Sequence, residues 1–165
     1  MKIAVFSDTH FYDAAGGYQL FGRLQKELLN EVEAVLHAGD VIDPMVLNAF
    51  GDLPVFAVRG NMDPPDPEIP LKRVVALAGF RVGMIHGWGT PEGLAERVRC
   101  EFQDVPLDCL VFGHSHYPHN ERRDGVLLFN PGSATDPRQA PFPSMGLLYL
   151  ENEIYGEILD LSPYL

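Results

Sequence analysis

The stretch Lys2-Ile3-Ala4-Val5-Phe6-Ser7-Asp8-Thr9-His10 decides how the rest of the chain is read. An almost wholly apolar run stops abruptly at a carboxylate and an imidazole two residues apart. That pattern reads as a buried strand delivering polar groups to the edge of a sheet. Open α/β folds place their chemistry at this edge. Side chains at i and i+2 leave an extended chain on the same side, so Asp8 and His10 are expected to converge on one point. A divalent cation is the simplest occupant of that point. Taken alone, the pair is explained equally well by a turn-capping carboxylate with an unrelated histidine nearby.

Working outward, the same pattern repeats. Glu33 to His37 forms a second short apolar run and ends at Ala38-Gly39-Asp40; Pro54 to Val58 ends at Arg59-Gly60-Asn61-Met62-Asp63. Between the first two lies helical spacing at Leu20, Phe21, Leu24 and Leu28, which predicts a helix from about Tyr18 to Asn30. Apolar strands that each end in Asp or Asn, with a helix between, indicate parallel strands whose loops gather at one edge. The proline-rich stretch from Asp63 to Glu68 cannot continue a strand or a helix and is expected as a surface excursion. Lys72 to Leu77 and Phe80 to Ile85 predict a hairpin ending at His86-Gly87. Thr90-Pro91-Glu92 predicts a helix start, with the helix running to about Glu101. Asp108 to Phe112 ends in Gly113-His114-Ser115-His116, Val126 to Phe129 ends in Asn130-Pro131-Gly132-Ser133, and Met145 to Leu150 with Ile154 to Leu161 predicts a closing hairpin.

Composition bounds the function. A length of 165 residues suits one domain spanning 1–165, long enough to bury roughly 70% of the surface of the unfolded chain. The net charge of −11 argues against long nucleic acid as a partner, because such binding is driven by neutralising phosphates. Any phosphate must therefore be met locally. Cys100 and Cys109 lack Cys-x-x-Cys spacing, so neither a zinc ribbon nor a disulfide framework is indicated. No signal-peptide pattern or long apolar span is present, and the expectation is a cytoplasmic protein with no membrane partner.

The polar residues that follow the apolar runs are Asp8, His10, Asp40, Asn61, His86, His114 and His116. Each alone has an ordinary explanation, since Gly-Asp is a common turn and a lone histidine is commonly a satisfied hydrogen-bonder. One shared cause accounts for all of them better than seven coincidences. Oxygen and imidazole ligands without thiolate suit manganese, iron, nickel, cobalt or zinc, with magnesium less suited to so many histidines. The ligands are too many for one ion. Two ions, roughly 3.5–4 Å apart in hydrolytic pairs, need a shared anionic oxygen between them. Asp40 is the natural bridge.

The ordered set Asp8-x-His10, Gly39-Asp40, Gly60-Asn61-x-Asp63, His86 and Gly113-His114-x-His116 resembles the calcineurin-like metallophosphoesterase superfamily, in its small single-domain phosphodiesterase branch. Asn130-Pro131-Gly132-Ser133 resembles that branch as well. The resemblance implies an α/β fold of two packed mixed β-sheets flanked by α-helices, a four-layer α/β/β/α sandwich. It also implies that one metal takes Asp8, His10, Asp40 and His116 while the other takes Asp40, Asn61, His86 and His114, with manganese the first expectation. Many relatives carry a histidine directly after the Gly-Asn pair, where this chain has Met62. Met62 has no titratable proton, so leaving-group protonation must come from another group or from water.

The expected activity is hydrolysis of small phosphodiesters by attack of a water or hydroxide bridging two divalent metals. Asn61 doubles as ligand and phosphate donor, Asp63 is expected to orient a ligand histidine, and His119 to reach the substrate from a loop. His37 stays outside this set, and for Arg59 contact with phosphate stands beside the safer expectation that it points away from the site or pairs with a surface acid. The rivals are a phosphomonoesterase and a non-catalytic protein-binding scaffold resembling a subunit of the retromer sorting complex, in which part of the ligand set is lost. Apolar surface for homo-oligomer contacts is offered by the closing hairpin and by Ala140-Pro141-Phe142-Pro143.

Overall fold

A computed structural model describes residues 1–165. Ten strands form two mixed sheets: β1 (Lys2–Phe6), β2 (Ala34–His37), β3 (Val55–Ala57), β9 (Ser144–Leu150) and β10 (Ile154–Asp160) in one, and β4 (Lys72–Leu77), β5 (Phe80–Ile85), β6 (Cys109–Val111), β7 (His119–Arg123) and β8 (Val126–Asn130) in the other. The spatial orders are β10-β9-β1-β2-β3 and β4-β5-β6-β8-β7. In the first sheet β1, β2 and β3 run parallel; in the second β5, β6 and β8 do. Six strands therefore release their C-terminal loops at one edge of the paired sheets, as the repeated strand-then-acid pattern predicted.

The layers follow from alternation along the strands. Ile3, Val5 and Leu36 face Val82, Met84, Val111 and Phe129 between the sheets. The opposite side of the first sheet, through Ala4, Phe6 and Val35, packs on Leu20, Phe21 and Leu24 of α1 (Ala14–Glu27). The outer side of the second, through Ile85, Leu110 and Leu128, packs on Leu94 and Val98 of α2 (Leu94–Cys100). The architecture is the expected α/β/β/α sandwich.

Element ends differ from expectation for identifiable reasons. Helix α1 begins four residues before Tyr18, where the Asp13 side chain caps it by accepting from Gly16 N at 3.1 Å. Gly17 permits that extension, because a Cβ there would meet Val46 Cγ1 at 2.4 Å. Val46 belongs to a 3₁₀ helix, Pro44–Phe50, that the sequence reading missed although Asp43-Pro44 is an N-cap followed by a first-turn proline. Helix α2 starts at Leu94 after left-handed Gly93, because Arg97 draws the carbonyls of Thr90 and Glu92 into a turn instead of leaving Thr90 as the cap.

Candidate metal centre

The loops at the shared edge carry an unusual backbone. Asp8 (φ 53°), His10 (φ 47°), Asp40 (φ 57°), His114 (φ 70°) and His116 (φ 59°) all occupy the left-handed region. Each such non-glycine residue costs about 1–2 kcal/mol, and a cluster of them marks a site held in place by its surroundings. Asp8 and His10 do converge, but through these left-handed turns and not along the extended chain that the i, i+2 spacing suggested. The turns are laced together: Asp8 N donates to Gly39 O and His10 N to Asp40 O, both at 2.9 Å, and Gly113 N donates to His86 O at 3.0 Å.

Each carboxylate has one oxygen held by the protein and one turned inward. Asp8 Oδ2 accepts from Ser7 Oγ at 2.6 Å and from His114 N at 2.9 Å, while Oδ1 is buried with no hydrogen-bond partner. Asp40 Oδ1 accepts from Met62 N at 2.8 Å. Its Oδ2 lies 3.3 Å from His10 Nε2 and 3.4 Å from His86 Nε2.

Three imidazoles are aimed by backbone carbonyls. His86 Nδ1 donates to Ala38 O at 2.7 Å, His116 Nδ1 to Asp136 O at 2.5 Å, and His114 Nε2 to Gly89 O at 2.9 Å. A carbonyl can only accept, so these nitrogens carry the protons of the neutral rings and the opposite nitrogens present lone pairs. The lone pairs face oxygens: His116 Nε2 to Asp8 Oδ1 at 3.3 Å, His86 Nε2 to Asn61 Oδ1 at 3.2 Å, and His114 Nδ1 to Asn61 Oδ1 at 3.0 Å. Acceptors turned toward acceptors call for positive charge between them, a ring proton or a metal cation. Two donors each about 2.1 Å from one first-row ion at ordinary coordination angles stand about 3–3.4 Å apart, which matches these separations.

Two groups whose ligand atoms lie within 4.8 Å of one another emerge: Asp8, His10 and His116, and Asp8, Asp40 and His86. Asp8 is common to both, which the sequence reading assigned to one side only, and Asp40 Oδ2 stands between His10 and His86 as the expected bridge does. The residues present fit divalent cations on a second count. Asp8 Oδ1 and His10 Nε2 are buried polar atoms left without a hydrogen-bond partner. Small residues keep the cradle open: a Cβ on Gly113 would fall 1.8 Å from Ser7 Oγ and 2.7 Å from Asp8 Oδ2.

The electrostatics agree. Burial works to raise the Asp40 pKa, but the His10 and His86 rings against it hold the carboxyl well below the usual range. Burial works to lower His86, and the carboxylates of Asp40 and Asp8 reverse this and push it up to about 9. The oxygens thus demand positive charge at this point. His37, fully buried, is pushed down to about 4 chiefly by burial. It acts as a brace, bonded to Thr9 Oγ1 at 3.0 Å and accepting from Gly39 N at 3.2 Å.

Two expectations need correction. Asp63 does not orient a histidine: its carboxylate accepts from the backbone N–H of Asp40 (2.9 Å), Gly60 (2.7 Å) and Ile42 (2.6 Å), tying the Asp40 loop to the Asn61 loop. His119 is not on a loop. It lies in β7, its Nε2 3.3 Å from Glu121 Oε2 and its ring beside Phe112, so its contacts are with the second sheet and not with the ligands. Sequence reasoning missed the braces around Asp8. Ser133 Oγ donates to Asp8 O at 2.7 Å, Thr135 Oγ1 to Thr9 O at 2.8 Å, and Asn130 Nδ2 to Gly113 O at 2.8 Å. The Asn130-Pro131-Gly132-Ser133 motif was the available signal for two of these, and it serves as a backbone clamp.

A two-sheet sandwich with carbonyl-anchored imidazoles and inward carboxylates at one edge defines a metal-dependent phosphoesterase fold and site. The chain belongs to the calcineurin-like phosphoesterase superfamily, whose domain model matches residues 1–153. It is 35% identical to a probable metallophosphoesterase of Methanocaldococcus jannaschii over 98% of this chain and 82% of that protein. It is 27% identical to a phosphodiesterase of the same organism over 96% of this chain and 99% of that one. Among solved structures, zinc-complexed Vps29 of Entamoeba histolytica shares the fold with a TM-score of 0.70 at 21% identity, covering 98% of this chain and 100% of that one. No helix is long and apolar enough to cross a membrane.

Proposed function

We propose that this protein hydrolyses small phosphodiesters with two divalent cations, manganese first among them, held by Asp8, His10, Asp40, Asn61, His86, His114 and His116. The observation that carries the reading is the set of imidazole nitrogens turned toward carboxylate and amide oxygens, where a metal cation can take the place of the proton that the carboxylates otherwise hold on His86. When bound, such cations supply Lewis-acid charge for phosphoryl oxygens and lower the pKa of water. Asp8 and Asp40 balance that charge, and the carbonyls of Ala38, Gly89 and Asp136 keep the rings in the ligating tautomer. Asn61, exposed at the rim, offers its amide N–H to a phosphoryl oxygen. Next to it Met62 is 49% exposed and has no proton to give, which favours diesters with good leaving groups over monoesters. The relative named as a phosphodiesterase supports the same choice. The scaffold alternative, suggested by the Vps29 likeness, is disfavoured because every expected ligand position keeps a ligating side chain.

The test is turnover of bis(4-nitrophenyl) phosphate by protein stripped with a chelator and then reloaded with manganese. Activity should vanish on stripping and return on reloading. Equal turnover in the chelated protein refutes the proposal.

A further inference from the structure

Asn61 and His86 help line a groove of about 440 Å³ whose other walls include Arg59, Leu71, Lys72 and Trp88. Asn61 and His86 belong to both the groove and the proposed metal centre, so the groove adjoins the place where a phosphoryl group at Asn61 would carry its substituents.

Two features say what that substituent is. Arg59 lines the groove half-buried, and its guanidinium makes no ion pair or hydrogen bond with the protein; only its backbone N is bonded, to Pro70 O at 2.9 Å. The other cation there, Lys72, is already neutralised by Glu101, 3.0 Å from its Oε2 and 3.1 Å from its carbonyl. In a chain of net charge −11 a half-buried guanidinium without an acid is an unmet demand for an anion. The second feature is Trp88, 45% exposed, which lines the groove together with Leu71, 61% exposed. The Trp88 peptide is fastened: Arg97 donates to Trp88 O at 3.0 and 3.2 Å and to Glu92 O at 2.7 Å, and the carbonyl of Gly89 holds His114. The indole is therefore carried by a backbone that is already ordered, which spares a ligand that cost.

We infer that this groove receives one arm of the substrate, a planar ring stacked on Trp88 that carries a second anionic group held by Arg59, as in a nucleotide with a further phosphate. The inference deepens the phosphodiesterase reading and rests on it for the placement of the scissile group. Arg59 pairs with no acid, and the inference takes up the alternative that it meets phosphate.

Trp88 is the only tryptophan in the chain, so its fluorescence reports the groove directly. The probes are thymidine 3′,5′-bisphosphate and thymidine 5′-monophosphate, titrated into chelated and manganese-loaded protein. The bisphosphate should quench Trp88 saturably and bind about tenfold tighter than the monophosphate, and Arg59→Met should bring the two within about threefold. By calorimetry, Trp88→Ala should weaken both by about tenfold or more. Absence of saturable quenching overturns the inference, as does an Arg59→Met variant that keeps the preference or loses both ligands equally. Turnover of bis(4-nitrophenyl) phosphate, measured in parallel, separates the two claims. Nucleotide binding with the expected Arg59 dependence but no metal-dependent turnover supports the groove and refutes the hydrolase; turnover without quenching refutes the groove alone.

Discussion

Replacing Asp63 by asparagine should loosen the metal centre without touching a ligand. Asp63 Oδ2 accepts from Asp40 N and Gly60 N at 2.9 and 2.7 Å, and Oδ1 from Ile42 N at 2.6 Å. An amide has one acceptor oxygen and one NH₂ group, so whichever way the new side chain turns, an N–H faces an N–H. The cheaper orientation sacrifices the Ile42 bond and turns two charge-assisted bonds into neutral ones. Hydrogen bonds to a charged group are worth about 1.5–3 kcal/mol and neutral ones about 1, which puts the loss at about 2.5–7 kcal/mol. For a domain of this size that corresponds to a fall in Tm of about 5–28 °C. The Asp40 N–H keeps only a neutral bond and its neighbour Ile42 loses its own, so the loop that carries the bridge carboxylate is held more weakly and manganese affinity should fall about 10- to 100-fold. Thermal denaturation in chelator reads the first effect and calorimetric titration of manganese the second. A Tm within about 2 °C of the parent together with unchanged affinity refutes the tether. Parental stability and affinity with lost turnover would restore the catalytic role that the sequence suggested.

Further outcomes are expected elsewhere. Asp40→Asn removes the charge between His10 and His86 and should abolish metal binding and turnover together; a metal-replete, active variant contradicts the bridge. Met62→His should raise the monoester-to-diester ratio of kcat/KM, and an unchanged ratio counts against the leaving-group argument. The ordinary histidine value of 6.5 falls to about 4 for His37 in the fold, so the unfolded chain binds the proton first. His37 therefore leaves stability intact above pH 6.5 and withdraws about 3 kcal/mol as pH falls from 6.5 to 4. Denaturant midpoints of His37→Gln should show a shallower pH slope in that window, and parallel slopes would remove His37 as the cause. Gly113→Ala drives a methyl group onto Ser7 Oγ and Asp8 Oδ2 and should lower both Tm and manganese affinity; parental values for both would show that the cradle has slack.

Much of this molecule is legible in its sequence, for reasons that are local. The hairpin at Lys72–Leu77 and Phe80–Ile85 is read with its observed bounds, because two short, largely apolar runs flank the Ala78-Gly79 turn within a few residues. The ligand residues could be named because each follows an apolar strand directly. Strand β7 was invisible: His119-Asn120-Glu121-Arg122-Arg123 has no apolar alternation. It is held by pairing with β8, by Asn120 Nδ2 on Gly156 O at 2.7 Å, and by Arg122 on Ile154 O. The braces of the site were equally hidden. Ser133 reaches Asp8 across 125 residues, and Asp136 aims His116 through a carbonyl that every residue type possesses. Sequence names the groups that ligate, but the parts that aim them are backbone atoms and distant hydroxyls without a local signature.

The most direct measurement is anomalous diffraction from crystals of the protein grown with manganese. The account predicts two separate peaks, one against Asp8, His10 and His116 and the other against Asn61, His86 and His114, with Asp40 Oδ2 between them. Fully occupied peaks elsewhere on the protein, with none among these seven side chains, would contradict it.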